Sequence, residues 1–372
     1  MKRVNGHEVI EQFEAWAPKR YAEDWDPVGL HIGELGRPVD RVLVSLDVDE
    51  RVVDEAIERG AQLIIAHHPL FFRPLKRIWT DTPEGRIIAK CIEHRISVYA
   101  AHTNLDVAPG GVNDLLADRL QLVDRKPLQS SYGEALYKLV VFAPVEAAKT
   151  VREALAKAGA GTIGAYEACS YEMTGTGRFT PTEEANPHIG SRGTPEAVEE
   201  VRIEVLVPEL KKARVLKALL RAHPYEEPAF DVILLDQQTD EQGLGRIGRL
   251  EEPMTLRQFA QRTKEQLDVP AVRIVGSPEE VVQRVAVLGG SGSKYVHAAK
   301  RAGADVYVTG DMDFHTAQAC EAMGLAVVDP GHHAEKVMIE GVAARMNEDA
   351  RTNGYDVTFL ESTTHTETFT FL

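Results

Sequence analysis

The chain has 372 residues, 44% hydrophobic and 27% charged, which excludes a disordered or collagen-like polymer and sets a prior of about two to two and a half domains. Its 42 Lys and Arg against 57 Asp and Glu leave a net charge of −15, which repels a polyanionic backbone and disfavours generic nucleic-acid binding. No apolar run approaches the ~18 residues of a membrane span, and charged residues stand where a secretory leader needs an apolar stretch, so the expected location is the cytoplasm.

From the N-terminus, an amphipathic stretch at 9–21 precedes a strand at 41–46, a helix at 50–59 and a strand at 63–66. A helix at 85–94, a strand at 96–101 and a helix at 112–120 continue the alternation, which points to βαβ units around a largely parallel sheet. Ligand-binding side chains then belong at the C-terminal strand ends. A different pattern starts near residue 132: strand 136–142, helix 145–158, a polar, Pro- and Gly-rich segment at 174–195 that reads as a long loop, strand 201–207, helix 209–222 and strand 229–235. That order suits a ferredoxin-like α+β module. After residue 246 the α/β rhythm returns, with helices at 255–267, 293–302, 314–323 and 333–346 and strands at 284–288, 305–308 and 325–328. The economical division is one discontinuous α/β domain of mostly parallel sheets, 1–130 and 241–372, carrying an inserted domain at 131–240.

Three cysteines, Cys91, Cys169 and Cys320, lie far apart and form no CxxC pair, so they read as buried small hydrophobes. The 13 histidines carry more information. His67-His68-Pro69 directly follows an apolar strand; the pair either caps that strand or binds a metal. His102-Thr103-Asn104-Leu105-Asp106 follows the next strand and delivers a His and an Asp to the same sheet end. Near the C-terminus, Gly331 breaks a strand before His332 and Glu335, which share one helical face at i,i+3; alone, Glu335 would serve the helix dipole. A catalytic zinc takes three protein ligands and a water, and these clusters offer more, so two ions are expected. The ligands expected are His67, His68, Asp106, His332 and Glu335, with Glu335 as the bridge. His102 is assigned to the second shell or to substrate. Imidazole and carboxylate without thiolate suit zinc first, with iron, manganese or nickel as alternatives. Two such ions can activate water and clamp the attacking and leaving oxygens of a hydrolysis.

Asp311 and His315, after another strand, join His102 as candidates for acid or base work, with Asp313 read as a helix N-cap. The letters of Gly243 to Gly248 spell GxGxxG, yet no strand feeds them and no helix opens from them, so the dinucleotide fingerprint fails. The run Gly289-Gly290-Ser291-Gly292-Ser293-Lys294 follows a strand and opens a helix. Gly290, Ser291, Gly292 and Lys294 are therefore candidates for an anion or phosphate cradle, the alternative being a tight turn.

Together these clusters resemble the Nif-three-like family, catalogued as GTP cyclohydrolase type 2 homologues. The residues that carry the resemblance are Trp25-Asp26-Pro27-Val28-Gly29-Leu30, Ala66-His67-His68-Pro69, His102-Thr103-Asn104-Leu105-Asp106, Thr309-Gly310-Asp311 and Gly331-His332-His333-Ala334-Glu335. The middle segment is similar to the CutA/PII-like insert of the longer bacterial members through Gly175-Thr176-Gly177-Arg178-Phe179, Ala185-Asn186-Pro187-His188-Ile189-Gly190 and His223-Pro224-Tyr225-Glu226-Glu227-Pro228. The resemblance implies a dinuclear metal site on the residues above and a homohexameric ring with sites facing an internal cavity. Some members place the last carboxylate four residues after the His, where this chain has Lys336; the insert-bearing members place it three after, as Glu335 is here.

The function expected from this resemblance is metal-dependent hydrolysis of a purine nucleotide, with attack at C8 of GTP and release of formate. The alternative is a non-catalytic metal- or ligand-binding ring regulated through its insert. No membrane or nucleic-acid partner is expected.

Overall fold

The computed structural model describes residues 2–238 and 242–372 and divides into two compact units, Met1–Tyr132 with Gln242–Leu372, and Gly133–Glu241. The domain boundary expected at 240/241 lies outside the described residues.

The first unit is a mixed α/β fold with two sheets. One sheet has the strand order Gly29–Ile32, Ser97–Ala100, Leu63–Ala66, Arg41–Ser45, Thr358–Glu361, parallel except for its first pairing. Its central strands are buried almost throughout and mostly apolar, as strands covered on both faces are. The second sheet has the order Arg273–Val275, Ala326–Asp329, Val306–Gly310, Val281–Ser291, Gln242–Thr255, Val123–Tyr132. Its three inner strands from Ala326–Asp329 to Val281–Ser291 are parallel and its outer pairings antiparallel. One apolar core joins residues of both sheets to the helices Gly6–Trp16, Val112–Arg119, Leu256–Gln266 and Val337–Asn353.

The expected 9–21 stretch starts earlier and is split. Asn5 caps Gly6–Trp16 in a reciprocal capping box with Glu8, and after Pro18 a 3-10 turn covers Lys19–Tyr21. Gly243 to Gly248 lie inside the strand Gln242–Thr255, hydrogen-bonded to neighbours on both sides, which accounts for the failed dinucleotide fingerprint.

Arg246 in that strand is 3% exposed. Its guanidinium grips Asp114 at 2.8 and 2.7 Å and donates to the carbonyls of Gly243 and Gly245, both at 2.8 Å.

The C-terminal residues are tied through Glu55 to the helix Glu50–Glu58. Its carboxylate accepts from Ser362 Oγ at 2.6 Å, from the Thr363 and Thr364 amides at 2.8 and 3.2 Å, from both threonine hydroxyls, and from Arg59 at 2.7 Å. Burial alone would raise the Glu55 carboxyl, but these donors outweigh it and hold it at about 2. A depressed carboxyl stabilises the fold above its unfolded value of about 4.5 and loses that contribution as pH falls toward 2. Hydrogen exchange should therefore show residues 362–366 losing protection across that acid window in the wild type. In Glu55→Gln the segment should be weakly protected already at neutral pH, without the acid step.

The second unit has one antiparallel sheet, order Tyr171–Phe179, Glu196–Pro208, Ala135–Pro144, Phe230–Gln238. With the helices Val145–Lys157 and Glu209–Ala222 it makes β-α-β-β-α-β, the ferredoxin-like order. The segment expected as a loop at 174–195 is strand through Phe179: Tyr171↔Glu204 to Phe179↔Glu196 run in continuous register. As an edge strand exposed along most of its length, it has no apolar face to announce it.

Candidate metal centre

The parallel strands end at one place. Arg41–Ser45 delivers Asp47, Leu63–Ala66 delivers His67 and His68, and Ser97–Ala100 delivers His102 and Asp106. From the second sheet, Val306–Gly310 delivers Asp311, and Ala326–Asp329 leads through Gly331 to His332 and Glu335 on a 3-10 turn, His332–Lys336. The long helix follows at Val337, so the expected helical start at His333 is a tighter turn that still keeps His332 and Glu335 on one side.

Glu335, 3% exposed, sits at the centre. Its Oε1 lies 3.6 Å from His67 Nε2, and its Oε2 lies 3.1 Å from His68 Nε2 and 3.3 Å from His332 Nε2. Asp106 Oδ1 lies 3.7 Å from the same His67 nitrogen. His67 with His68 and Glu335, and His67 with His102 and Asp106, bring ligand atoms within 4.8 Å of one another. The sequence-expected ligands His67, His68, Asp106, His332 and Glu335 thus converge, and His102 joins them.

The donor set fits a cation. His67 Nε2 and Asp106 Oδ1 are buried atoms with no hydrogen-bond partner, a costly state unless something else occupies their lone pairs. Their spacing is too long for a hydrogen bond and suits two ligands that each lie about 2 Å from one ion. The remote nitrogens are fixed as metal-binding imidazoles require. His67 Nδ1 lies 2.9 Å from the Ala101 carbonyl, His68 Nδ1 2.6 Å from Asp47 Oδ1, His102 Nδ1 3.0 Å from Asp26 Oδ1, and His332 Nδ1 2.7 Å from Asp311 Oδ2. Each arrangement leaves Nε2 as the inward atom.

Charge is shared tightly. Burial works against the His68 imidazolium, but Asp47 and Glu335 outweigh it and raise it to about 10. The Glu335 hydrogen bond raises His332 to about 9, against its burial. Burial, with the neighbouring Glu335, pushes the Asp106 carboxyl up to about 6, whereas three imidazoles hold Glu335 well below the usual carboxylate range despite its burial. A cation seated here competes with protons for these lone pairs, so metal loading releases protons.

The glycine run has a specific place. A Cβ on Gly289 would stand 2.7 Å from Glu335 Oε1, and one on Gly290, at φ +58°, would stand 2.9 Å from the same oxygen and 3.2 Å from His332 Nε2. These residues leave room for the carboxylate and the imidazole. Ser291 ends the strand and is exposed. The Gly292 amide donates to Thr309 Oγ1 at 2.9 Å, and Lys294 is exposed on the following 3-10 turn. The helix beyond, Val296–Arg301, is short. Asp311 orients His332 from a left-handed backbone position, φ +53°, a conformation that costs a non-glycine residue energy. His315 is exposed in the first turn of the helix Phe314–Met323 beside Phe314, and no contact brings it to the cluster. Asp313 caps that helix.

Three groups escaped the sequence reading. Asp47 sits two residues beyond a buried strand, the same signal that exposed His67, but a lone carboxylate carries no metal signature. Asp26, which accepts from the Thr103 amide at 2.9 Å, and Thr366, whose hydroxyl donates to Asp47 Oδ2 at 2.5 Å, meet their partners only in the fold. Through Asp47, Thr366 steadies His68. Thr366→Val should lower metal affinity by about tenfold, within the range for second-shell changes; competition with a chromogenic chelator measures it.

A cavity of about 680 Å³ opens beside His68, Asp311 and His332, walled also by Arg273, Phe369 and Phe371. Among the described residues, no helix is long and apolar enough to cross a membrane.

Residues 4–367 match the family described as Duf34/NIF3 (NGG1p interacting factor 3). The chain belongs to the Duf34/NIF3 family. A Bacillus subtilis protein named "GTP cyclohydrolase 1 type 2 homolog" is 51% identical over 371 residues, covering all of both chains, and a protein of the same name from Listeria innocua is 44% identical over 372 residues, again in full. The crystal structure of a Bacillus cereus protein related to NIF3 is similar over the whole of both chains, with a TM-score of 0.95 at 51% identity. The crystal structure of Staphylococcus aureus protein SA1388 is similar to the chain over the whole of both, with a TM-score of 0.82 at 33% identity.

Proposed function

We propose that the chain is a dinuclear divalent-metal hydrolase acting on a purine nucleotide, of the GTP cyclohydrolase type. The observation that carries the metal reading is the pair of orphaned buried atoms, His67 Nε2 and Asp106 Oδ1, on either side of a gap that also faces Glu335. In this reading His67, Asp106 and Glu335 would hold one ion, and His68, His332 and Glu335 would hold the other. Zinc is the first candidate, with iron, manganese or nickel as alternatives. The chemistry such ions supply is Lewis acidity and an activated water.

The protein's own groups do the rest. Asp47, Asp26 and Asp311 keep the Nε2 atoms of His68, His102 and His332 turned inward. His102 is the candidate for proton transfer, a role supported by its ring 5.2 Å from that of His67 and its partly solvent-exposed side chain. Asp311 acts by positioning His332, and His315 stays a candidate only through its place on the following helix. The cavity beside His68 and His332 falls within the range that encloses a nucleotide-sized ligand. Lys294, exposed on the turn after the glycine run, is the candidate cation for a phosphate, and Arg273 lines the cavity itself. The names carried by the full-length relatives support a nucleotide substrate.

The test is direct. Protein loaded with zinc, and separately with manganese or iron, is incubated with GTP and assayed for formate. Release above a His67→Ala control is expected. Absence of formate with every metal overturns the cyclohydrolase assignment, and phosphate in its place would indicate phosphoester hydrolysis. The family resemblance also supports a hexameric ring, which light scattering on the purified chain would test.

A further inference from the structure

Two large aromatic side chains near the metal centre are left out of the core. Trp25 is 62% exposed and Phe72 57% exposed. Both touch the same imidazole: the Trp25 ring centroid lies 6.0 Å from that of His102 at 77°, and the Phe72 centroid 5.8 Å at 83°. The His102 ring is in turn 5.2 Å from the His67 ring and 5.9 Å from the His68 ring. The fold treats comparable rings differently: Phe13 and Trp16 in the first helix pack edge-on inside the core. An indole and a phenyl ring held in water forgo their burial energy, so their presence beside the centre calls for a partner that covers them.

The local backbone is braced to present them. Asp26, next to Trp25, is buried and engaged by His102 Nδ1, by the Thr103 amide and by the Thr103 hydroxyl. Phe71, next to Phe72, stacks on His31 at 5.7 Å and 17°, and His31 Nε2 lies 2.6 Å from the Pro27 carbonyl. The segments bearing Trp25 and Phe72 are therefore tied to each other and to the His102 strand end while the two rings themselves stay open.

We infer that Trp25 and Phe72 form a stacking platform for a planar heterocyclic ring of the substrate, holding that ring on the His102 flank of the metal centre. This rests on the reading of the centre as a substrate site and names the part of the substrate it grips: the base, with the sugar and phosphate left to other contacts. Stacking is indifferent to ring edge pattern, so the platform selects a flat ring over an aliphatic one and leaves the choice among rings to polar groups.

The experiment uses the zinc-loaded full chain and two probes that differ only by a base, GMP and ribose 5-phosphate, with riboflavin as a planar probe that is no purine nucleotide. Affinity is measured by titration calorimetry for the wild type, Trp25→Ala, Trp25→Phe and Phe72→Ala, with bound metal measured in parallel. GMP should bind at least about 10-fold tighter than ribose 5-phosphate. Each alanine variant should lose about 5- to 100-fold for GMP, as expected for removal of one stacking ring. Ribose 5-phosphate binding and metal content should not change, and Trp25→Phe should retain most of the affinity. GMP binding that both alanine variants leave intact overturns the platform while sparing the nucleotide reading. If GMP does not bind but riboflavin binds and loses affinity in Trp25→Ala, the platform stands and the purine reading falls. If none of the planar probes binds the wild type, the platform is overturned.

Discussion

Glu335→Ala is expected to reduce metal affinity by more than ~100-fold at both positions and to leave less than one tightly held ion per chain, read by elemental analysis after dialysis against a weak chelator. The two carboxylate oxygens face different histidines, Oε1 toward His67 and Oε2 toward His68 and His332, so in the two-ion reading one substitution would take a ligand from both ions. It also removes a buried negative charge that would offset the charge of any cation held by these groups. Asp106→Ala serves as the contrast. Its Oδ1 lies on the His67 and His102 side of the cluster, so in the two-ion reading the substitution should weaken one ion and spare the other. Glu335→Gln keeps the volume that Gly289 and Gly290 accommodate and one neutral oxygen, and should fall between the two. Equal losses for Asp106→Ala and Glu335→Ala would contradict a bridging role.

Most of the candidate site residues could be read from the sequence because they follow features that survive without the fold. His67, His68 and His102 come directly after apolar runs, and strand ends in parallel sheets are where ligands gather. His332 and Glu335 follow a strand break at Gly331 with helical spacing. What could not be read is the set of partners that fixes them. The sequence separation is 21 residues from His68 to Asp47, 76 from His102 to Asp26 and 319 from Thr366 to Asp47, and a single Asp or Thr has no periodicity to mark it. The same limit applies to the strands. Arg41–Ser45 and Leu63–Ala66 announce themselves by burial on both faces, whereas Gln242–Thr255 is interrupted by glycines and charges and Tyr171–Phe179 lies at an exposed edge. Their identity comes from long-range pairing, which local composition reports weakly. Aromatic exposure is equally invisible: Trp16 and Trp25 are both tryptophans near the N-terminus, and only packing makes one a core residue and the other a surface ring.

Arg246→Ala is expected to destabilise the first unit by about 3–5 kcal/mol, the cost of removing one partner from a buried ion pair. The buried guanidinium joins the strand Gln242–Thr255 to the start of the helix Val112–Arg119, where it pairs with Asp114 in two-point fashion and donates to the carbonyls of Gly243 and Gly245. Burial alone would raise the Asp114 carboxyl, but the Arg246 hydrogen bonds overcome it and hold it below the usual range; without them the carboxylate stays partly buried and uncompensated. Arg246→Lys retains the charge but has no planar fork to engage both oxygens and two carbonyls together, so it should recover only part of the loss. The decisive comparison is a double-mutant cycle with Asp114→Asn and Arg246→Met. The pair removes both charges, so the double variant should be more stable than the sum of the single losses predicts. Urea unfolding of the wild type and the three variants gives the midpoints, with an unchanged slope showing that the same surface unfolds. Additive losses would mean that Arg246 acts through its carbonyl contacts, with Asp114 contributing little.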